Sequence, residues 1–335
     1  MNAPLNSTIL RVKDLKVHFP LAAKKLFAKP PVVHAVDGVS FDVKRGTTFG
    51  IVGESGSGKS TTALAVMRLL KITDGTIELD GTSLSGAEGA ELRELRKKVQ
   101  IIFQDPFSSL NPRMRAGAIV REPLDLMNIG ARNDRDDRVA ELFKQVGLRP
   151  EQQALFPHQF SGGQRQRIGI ARALASQPEL IVCDEPVSAL DVAIQAQTLN
   201  LLRHLQREYG LSYLFISHDL GVVQHLCDEI AVMYLGQIVE QSDRKSLFTK
   251  PLHPYTRALI SAVPSADPRQ RERRVRLEGD PPSPIDLPMG CRFASRCPVA
   301  QPHCKEQAPS LRLVQKEHWV ACHRVSDDGV PLYAE

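Results

Sequence analysis

The stretch Gly53-Glu54-Ser55-Gly56-Ser57-Gly58-Lys59-Ser60-Thr61 decides the reading of this chain. It fits G-x-x-x-x-G-K-[ST], a loop whose glycines let backbone N–H groups close around phosphate oxygens. Context supports that reading over a plain glycine turn. The apolar run Phe49 to Val52 predicts a buried strand entering the loop, and Ser60 to Leu70, with Leu64, Met67 and Leu70, predicts a helix leaving it. The helix N-terminus adds a positive dipole end. Lys59 is placed to reach β- and γ-phosphates and Ser60 to bind Mg²⁺.

Composition sets bounds around this loop. The 335 residues suffice for one large domain or two, and 42% hydrophobic content is that of a globular protein. Forty-three basic against 38 acidic residues give +5, too mild a charge to imply nucleic acid. No run of eighteen apolar residues occurs, and the first residues lack a charged segment followed by an apolar core. The expectation is a chain that is neither membrane-spanning nor secreted, so its six cysteines are buried thiols or metal ligands rather than disulfides.

In chain order, Ile9 to Phe19 alternates as a strand through Leu15, Val17 and Phe19, and 22–31 reads as a loop. Val39, Phe41 and Val43 give a second strand, with a turn at Lys44-Arg45-Gly46; Asp74-Gly75 and Asp80-Gly81 bracket a short third, and these early strands look antiparallel. Val99 to Phe103 is a buried strand ending at Gln104. Residues 105–175 read as a helical insertion, clearest in the amphipathic stretch Arg135 to Val146. Strands at Leu180 to Cys183 and Leu211 to Ile216 flank a helix from Val192 to Tyr209, and two final strands cover Ile230 to Leu235 and Gln237 to Glu240. Strands alternating with helices predict an α/β fold with a parallel, helix-covered sheet. The expected division is a nucleotide domain over 1–262, a Pro/Arg-rich linker over 263–290 and a cysteine-bearing tail over 291–335. Arg269, Arg271, Arg273, Arg274 and Arg276 suit a solvated linker or a contact with anionic lipid.

A phosphate loop needs an acidic partner to hold Mg²⁺ and position the attacking water. Asp184 and Glu185, closing the apolar run from Leu180, supply it: Asp184 for the ion, Glu185 as proton acceptor. Ser161-Gly162-Gly163-Gln164 precedes a helix and forms a second anion-ready start. One chain with one phosphate loop and a second such start suggests nucleotide held by another subunit.

The order of GESGSGKS, Gln104, FSGGQRQR, LIVCDEP, SALD and Ser217-His218-Asp219 resembles the ATP-binding subunits of ABC transporters over nearly the whole chain. That resemblance implies a P-loop ATPase fold and two ATP molecules sandwiched between two subunits. By the same resemblance, Gly53 to Thr61 bind phosphates, Gln104 senses Mg²⁺ and the membrane subunit, and Glu185 is the catalytic base. It also implies that Ser161, Gly162 and Gly163 contact the partner's γ-phosphate, with Gln164 completing the SGGQ that faces the partner's ATP, that Asp191 lies at the dimer interface and that His218 contacts γ-phosphate. Phe19 is the candidate for stacking on adenine, with a strand-core residue as the alternative; for His218 the alternative is a histidine capping a strand end.

QDPFSSLNPR, EPVSALDV, LSYLFISHDL, VMYLGQIVE and HPYTRALISAVP narrow the resemblance to ATPases of dipeptide and oligopeptide importers, with nickel and glutathione importers sharing much of the pattern. The implied partners are a second ATP-binding subunit, two transmembrane permease subunits and an extracytoplasmic peptide-binding protein, with this chain peripheral on the cytoplasmic face. A soluble ABC ATPase of DNA repair or translation is the competing class. It is disfavoured because the chain has neither a long coiled-coil insertion nor a second cassette. Cys291, Cys297, Cys304 and Cys322 lack the C-x₂₋₄-C spacing of structural zinc. Four thiols in so short a tail suit a Cys₄ iron–sulfur site, and the resemblance to importer ATPases points to 4Fe-4S; zinc and unliganded thiols are the alternatives.

Overall fold

The computed structural model describes residues 7–22, 30–263 and 277–333; the five linker arginines lie outside them. The chain begins with β1 (Thr8–Pro20), β2 (Val32–Lys44), β3 (Thr48–Val52), α1 (Lys59–Val66), β4 (Asp74–Leu79), β5 (Thr82–Ser83) and α2 (Gly89–Lys98). There follow β6 (Val99–Ile102), α3 (Ala116–Leu126), α4 (Arg135–Gln145), α5 (Gly162–Leu174), β7 (Leu180–Asp184), α6 (Val192–Tyr209) and β8 (Ser212–Ser217). The remainder is α7 (Leu220–Leu226), β9 (Glu229–Tyr234), β10 (Gln237–Asp243), α8 (Arg244–Thr249), α9 (Pro254–Ser261), α10 (Pro302–Glu306), β11 (Arg312–Gln315) and β12 (His318–Val320). The chain passes more than once through two compact units. One is Met1–Leu10, Val43–Thr47 and Glu78–Ile216; the other is Arg11–Asp42, Thr48–Ile77 and Ser217–Glu335.

In the first unit β6, β7 and β8 run parallel, with Val99 opposite Leu180 and Leu180 opposite Ser212. Every residue of β7 and β8 is buried, which is why LIVCD and SYLFIS show no alternation. The expected helical insertion forms as α3, α4 and α5 with two short 3₁₀ turns at Pro150–Ala154 and Pro157–Gln159. Its amphipathic helix α4 buries Val139, Leu142 and Phe143, as its spacing predicts. Arg135 fixes the turn between α3 and α4 by donating to Asp125 at 2.7 Å and Asn128 at 2.9 Å.

In the second unit β3 runs parallel to β9, β10 returns antiparallel beside β9, and β12 then β11 continue that edge. The tail therefore extends the sheet: Val320 pairs with Glu240 and Trp319 with Gln241. A fully buried hydrogen-bonded pair fastens it there, His318 Nε2 lying 2.7 Å from Glu240 Oε1. The remaining capacity of the Glu240 carboxylate is met by the N–H groups of Leu252 and His253 at 2.7 and 2.9 Å. Leu252, Val314, Val320, Cys322 and Val325 close a small core around this joint.

One expected element is shorter than its sequence suggests. The helix read as Ser60 to Leu70 stops at Val66, because Arg68 adopts φ 52° and the N–H groups of Leu69 and Leu70 both fold back to the Leu64 carbonyl. Met67 remains buried while Leu69 becomes exposed.

Candidate functional site

The phosphate loop belongs to the second unit and is built by close backbone approach. A Cβ at Gly53 would stand 2.2 Å from the Met233 carbonyl oxygen, and one at Gly58 (φ 106°) 2.2 Å from that of Ala35. Only glycine fits at either place. Gly58 caps α1, and Thr62 Oγ1 donates to its carbonyl at 3.0 Å. The Lys59 ammonium, in a residue only 4% exposed, donates to the carbonyls of Gly53 at 2.9 Å and Glu54 at 2.8 Å. It is thus held over the centre of its own loop. Ser55 and Gly56 form the exposed crest, Ser57 is buried, and Ser60 and Thr61 are half-buried on the first turn of α1.

Residues far along the chain secure this loop, and sequence reasoning missed them. Tyr255 Oη accepts the Glu54 N–H at 2.9 Å. Arg296, from the tail, grips the Glu54 carboxylate with both terminal nitrogens, at 2.8 and 3.1 Å, and touches Tyr234 Oη at 3.4 Å. The rings of Tyr234, Tyr255 and Phe293 pack together with centroids 4.7 to 5.4 Å apart beneath this contact. The Glu54 hydrogen bond is the first cause of the upward shift of the Arg296 guanidinium's pKa. Phe19 in this unit sits at the end of β1 and is 38% exposed, available for stacking rather than committed to a core. His218 is exposed just after β8, where Asp219 caps α7 by accepting from Gly221 and Val222.

The first unit gathers the remaining candidates. Asp184 ends β7 and is 7% exposed. Glu185 follows in the left-handed region at φ 47°, its N–H donating to the Ile216 carbonyl at 3.0 Å. For a non-glycine residue that conformation costs on the order of 1 kcal/mol. It aims the carboxylate at Gln104, whose Nε2 donates to Oε2 at 2.9 Å. Gln104 and Glu185, 81 positions apart, are thus in direct contact.

Ser161 caps α5 reciprocally with Gln164: Ser161 Oγ accepts the Gln164 N–H at 3.3 Å, and Gln164 Oε1 accepts the Ser161 N–H at 3.0 Å. The early N–H groups of Gly162 and Gly163 have no partner within an α-helix. A Cβ at Gly163 would come 2.5 Å from Ile194 Cγ2, so the glycine lets α5 approach the start of α6. Asp191 caps that helix, accepting from Ile194 N–H at 2.9 Å. Gln164 and Asp191 therefore do local structural work whatever else they touch.

Residues 36–188 match the family described as "ABC transporter", and residues 239–304 match the family described as "Oligopeptide/dipeptide transporter, C-terminal region". The oligopeptide transport ATP-binding protein AppF of Bacillus subtilis is 51% identical, over 97% of this chain and 100% of the relative. The chain belongs to the ABC transporter family. The oligopeptide transport ATP-binding protein OppF of Salmonella typhimurium is also 51% identical, over 97% of this chain and 99% of that one. Among solved structures, a dimeric ATP-binding cassette in a post-hydrolysis state with ADP and Pi bound has TM-score 0.62 and 29% identity, covering 70% of this chain and 98% of its own. As an ABC ATPase the chain uses ATP and Mg²⁺. Among the described residues no helix is long and apolar enough to cross a membrane.

The iron–sulfur expectation for Cys291, Cys297, Cys304 and Cys322 is overturned. The two matched families are described by transport, with no iron–sulfur centre in either description. The thiols are also engaged by the fold. Cys304 Sγ accepts from Gln301 N–H at 3.5 Å and Cys322 Sγ from Arg324 N–H at 3.3 Å. Burial pushes the Cys297 thiol up to about 11 and that of Cys322 up to about 12.

Proposed function

We propose that this chain is the ATP-hydrolysing subunit of an importer for dipeptides or oligopeptides. It works beside a second ATP-binding subunit, on the cytoplasmic face of two permease subunits, with an extracytoplasmic binding protein delivering the peptide. The observation that carries the substrate class is the oligopeptide/dipeptide C-terminal region joined to a complete ATPase motif set in one chain.

In this reading the triphosphate replaces the Gly53 and Glu54 carbonyls as the partner of Lys59, and the loop N–H groups cradle the phosphates. Ser60, Gln104 and Asp184 each carry an oxygen donor, the ligand type that suits Mg²⁺. When bound, the ion neutralises charge developing on the phosphate oxygens. Glu185, held by the Ile216 carbonyl and the Gln104 amide, takes a proton from water as the water oxygen bonds to the γ-phosphorus and the β–γ bridging bond breaks. His218 contacts the γ-phosphate of the same nucleotide. Ser161, Gly162 and Gly163 face nucleotide held by the partner subunit, where the start of α5 presents N–H groups to anionic oxygen. Asp191 lies at the interface between the two subunits, and Phe19 stacks on the adenine. Closure on ATP moves the permeases through the helices of 105–175, and hydrolysis resets the pair.

ATP turnover in the assembled transporter tests this. Glu185→Gln is expected to lower turnover by roughly 100-fold or more while ATP binding persists. Turnover equal to that of the unaltered protein contradicts the assignment of the base.

A further inference from the structure

Outside the nucleotide machinery, among the described residues, one cluster of side chains brings metal-ligating atoms together. His18 on β1 and His34 and Asp37 on β2 converge within the second unit. His18 Nε2 lies 2.9 Å from Asp37 Oδ1 and 3.3 Å from His34 Nδ1, and His34 Nδ1 lies 3.9 Å from Asp37 Oδ1. These edges average about 3.4 Å. A tetrahedral ion with ligands at about 2.0–2.1 Å has edges of about 3.3–3.4 Å. The three atoms therefore already stand close to one face of such a tetrahedron. The fourth position opens outward, since the side chains of His18, His34 and Asp37 retain 17%, 29% and 20% of their exposure.

The surroundings fix each ligand independently of the others. The His18 N–H donates to Thr73 Oγ1 at 2.9 Å, and the His34 N–H donates to the Pro284 carbonyl at 2.9 Å. The Asp37 N–H donates to the Gly236 carbonyl at 2.9 Å. Arg292 binds the second carboxylate oxygen of Asp37 while its other terminal nitrogen donates to the Leu235 carbonyl at 2.6 Å. Only Oδ1 thus faces the two imidazoles, and an outer hydrogen bond of this kind orients a carboxylate ligand.

We propose that His18, His34 and Asp37 form a binding site for a divalent transition-metal ion, best suited to Zn²⁺, that cross-links β1 to β2. Two imidazoles and one carboxylate select Zn²⁺, Co²⁺ or Ni²⁺ over Mg²⁺ and Ca²⁺, so the site is chemically separate from the oxygen donors that suit Mg²⁺. Its position gives it reach: the Ala35 carbonyl, next to His34, is the atom against which Gly58 of the phosphate loop packs. An ion here stiffens the strand that supports that loop.

The test is a Co²⁺ titration of the full chain without nucleotide, read by visible and near-ultraviolet absorption, followed by displacement with Zn²⁺. The expected result is one equivalent bound with ligand-field bands and no sulfur-to-metal charge-transfer band. His18→Gln and His34→Gln are each expected to weaken binding at least tenfold, with MgADP binding retained as the check that the unit is folded. A spectrum dominated by sulfur charge transfer and indifferent to both variants would assign the ion to the tail cysteines and overturn the proposal. So would affinity unchanged in both variants, or no binding at submillimolar Co²⁺. If a variant also loses MgADP, X-ray absorption at the zinc edge of the unaltered chain decides. Imidazole scattering without sulfur at about 2.3 Å supports the site, and sulfur there overturns it.

Discussion

Removing Arg296 should loosen the phosphate loop from a distance of 242 residues in sequence. Its guanidinium makes two parallel bonds to Glu54, and its side chain is 7% exposed while that of Glu54 is 32% exposed. A hydrogen bond to a charged partner contributes about 1.5–3 kcal/mol, and breaking a fully buried pair costs about 3–5 kcal/mol. Water reaches Glu54 and can solvate it after the truncation, which brings the expected cost of Arg296→Ala down to about 2 kcal/mol. In a unit of this size that corresponds to a fall in Tm of roughly 4–8 °C. Urea unfolding can be followed by the single tryptophan, Trp319, which lies in the same unit on β12. Because Glu54 sits inside the loop, MgATP affinity should fall as well, and Arg296→Lys, which keeps the charge without the fork, should recover only part of either loss. Stability and MgATP affinity both within 0.5 kcal/mol of the unaltered protein, a margin of about measurement error for a surface change, would refute the claim that the tail holds the loop.

Other perturbations follow from the same contacts. Burial holds the fully buried His253 down at about 4, against an upward pull from Glu240. The unfolded chain accepts a proton near pH 6.5 that the folded chain refuses until about pH 4, so stability should fall through that window by roughly 3 kcal/mol. His253→Asn, which keeps an acceptor for the Tyr255 N–H, should flatten that part of the stability–pH curve, and an unchanged slope counts against the assignment. Ser161→Ala removes the cap of α5 and should cost about 1 kcal/mol in urea unfolding. The same change should depress ATP turnover in the assembled transporter, and turnover that stays normal argues against a role in facing the partner's nucleotide. Gly58→Ala forces a side chain against the Ala35 carbonyl and should reduce MgATP binding at least tenfold by calorimetry, whereas unchanged affinity shows that the loop can shift aside.

What the sequence reveals follows from how locally each feature is encoded. Gly53, Gly58, Lys59 and Ser60 lie in one nine-residue window because the chemistry needs consecutive N–H groups, so the loop reads directly. The same holds for β7 and β8, whose burial on both faces writes itself as unbroken apolar runs. The end of α1 is not legible, since Arg68 takes a left-handed conformation that its residue type does not advertise. Nor is the grip of Arg296 on Glu54, or the meeting of His18 with Asp37: such pairs leave no periodic trace. The short strands β11 and β12 lack enough residues to display alternation, and β12 is fastened to β10 by the buried Glu240–His318 pair. The cysteine count misled in the opposite direction. Four thiols in a short tail suggested a cluster, whereas the matched families are described by transport alone and the Cys304 and Cys322 sulfurs accept backbone N–H groups.

The central claim is that this ATPase powers peptide uptake. The most direct measurement is growth of an amino-acid auxotroph, with its other peptide uptake systems deleted, on di- and tripeptides containing the required amino acid. The intact protein should support growth and Glu185→Gln should not, while both strains grow on the free amino acid. Failure of both strains on every peptide, with normal growth on the free amino acid, would contradict peptide as the cargo.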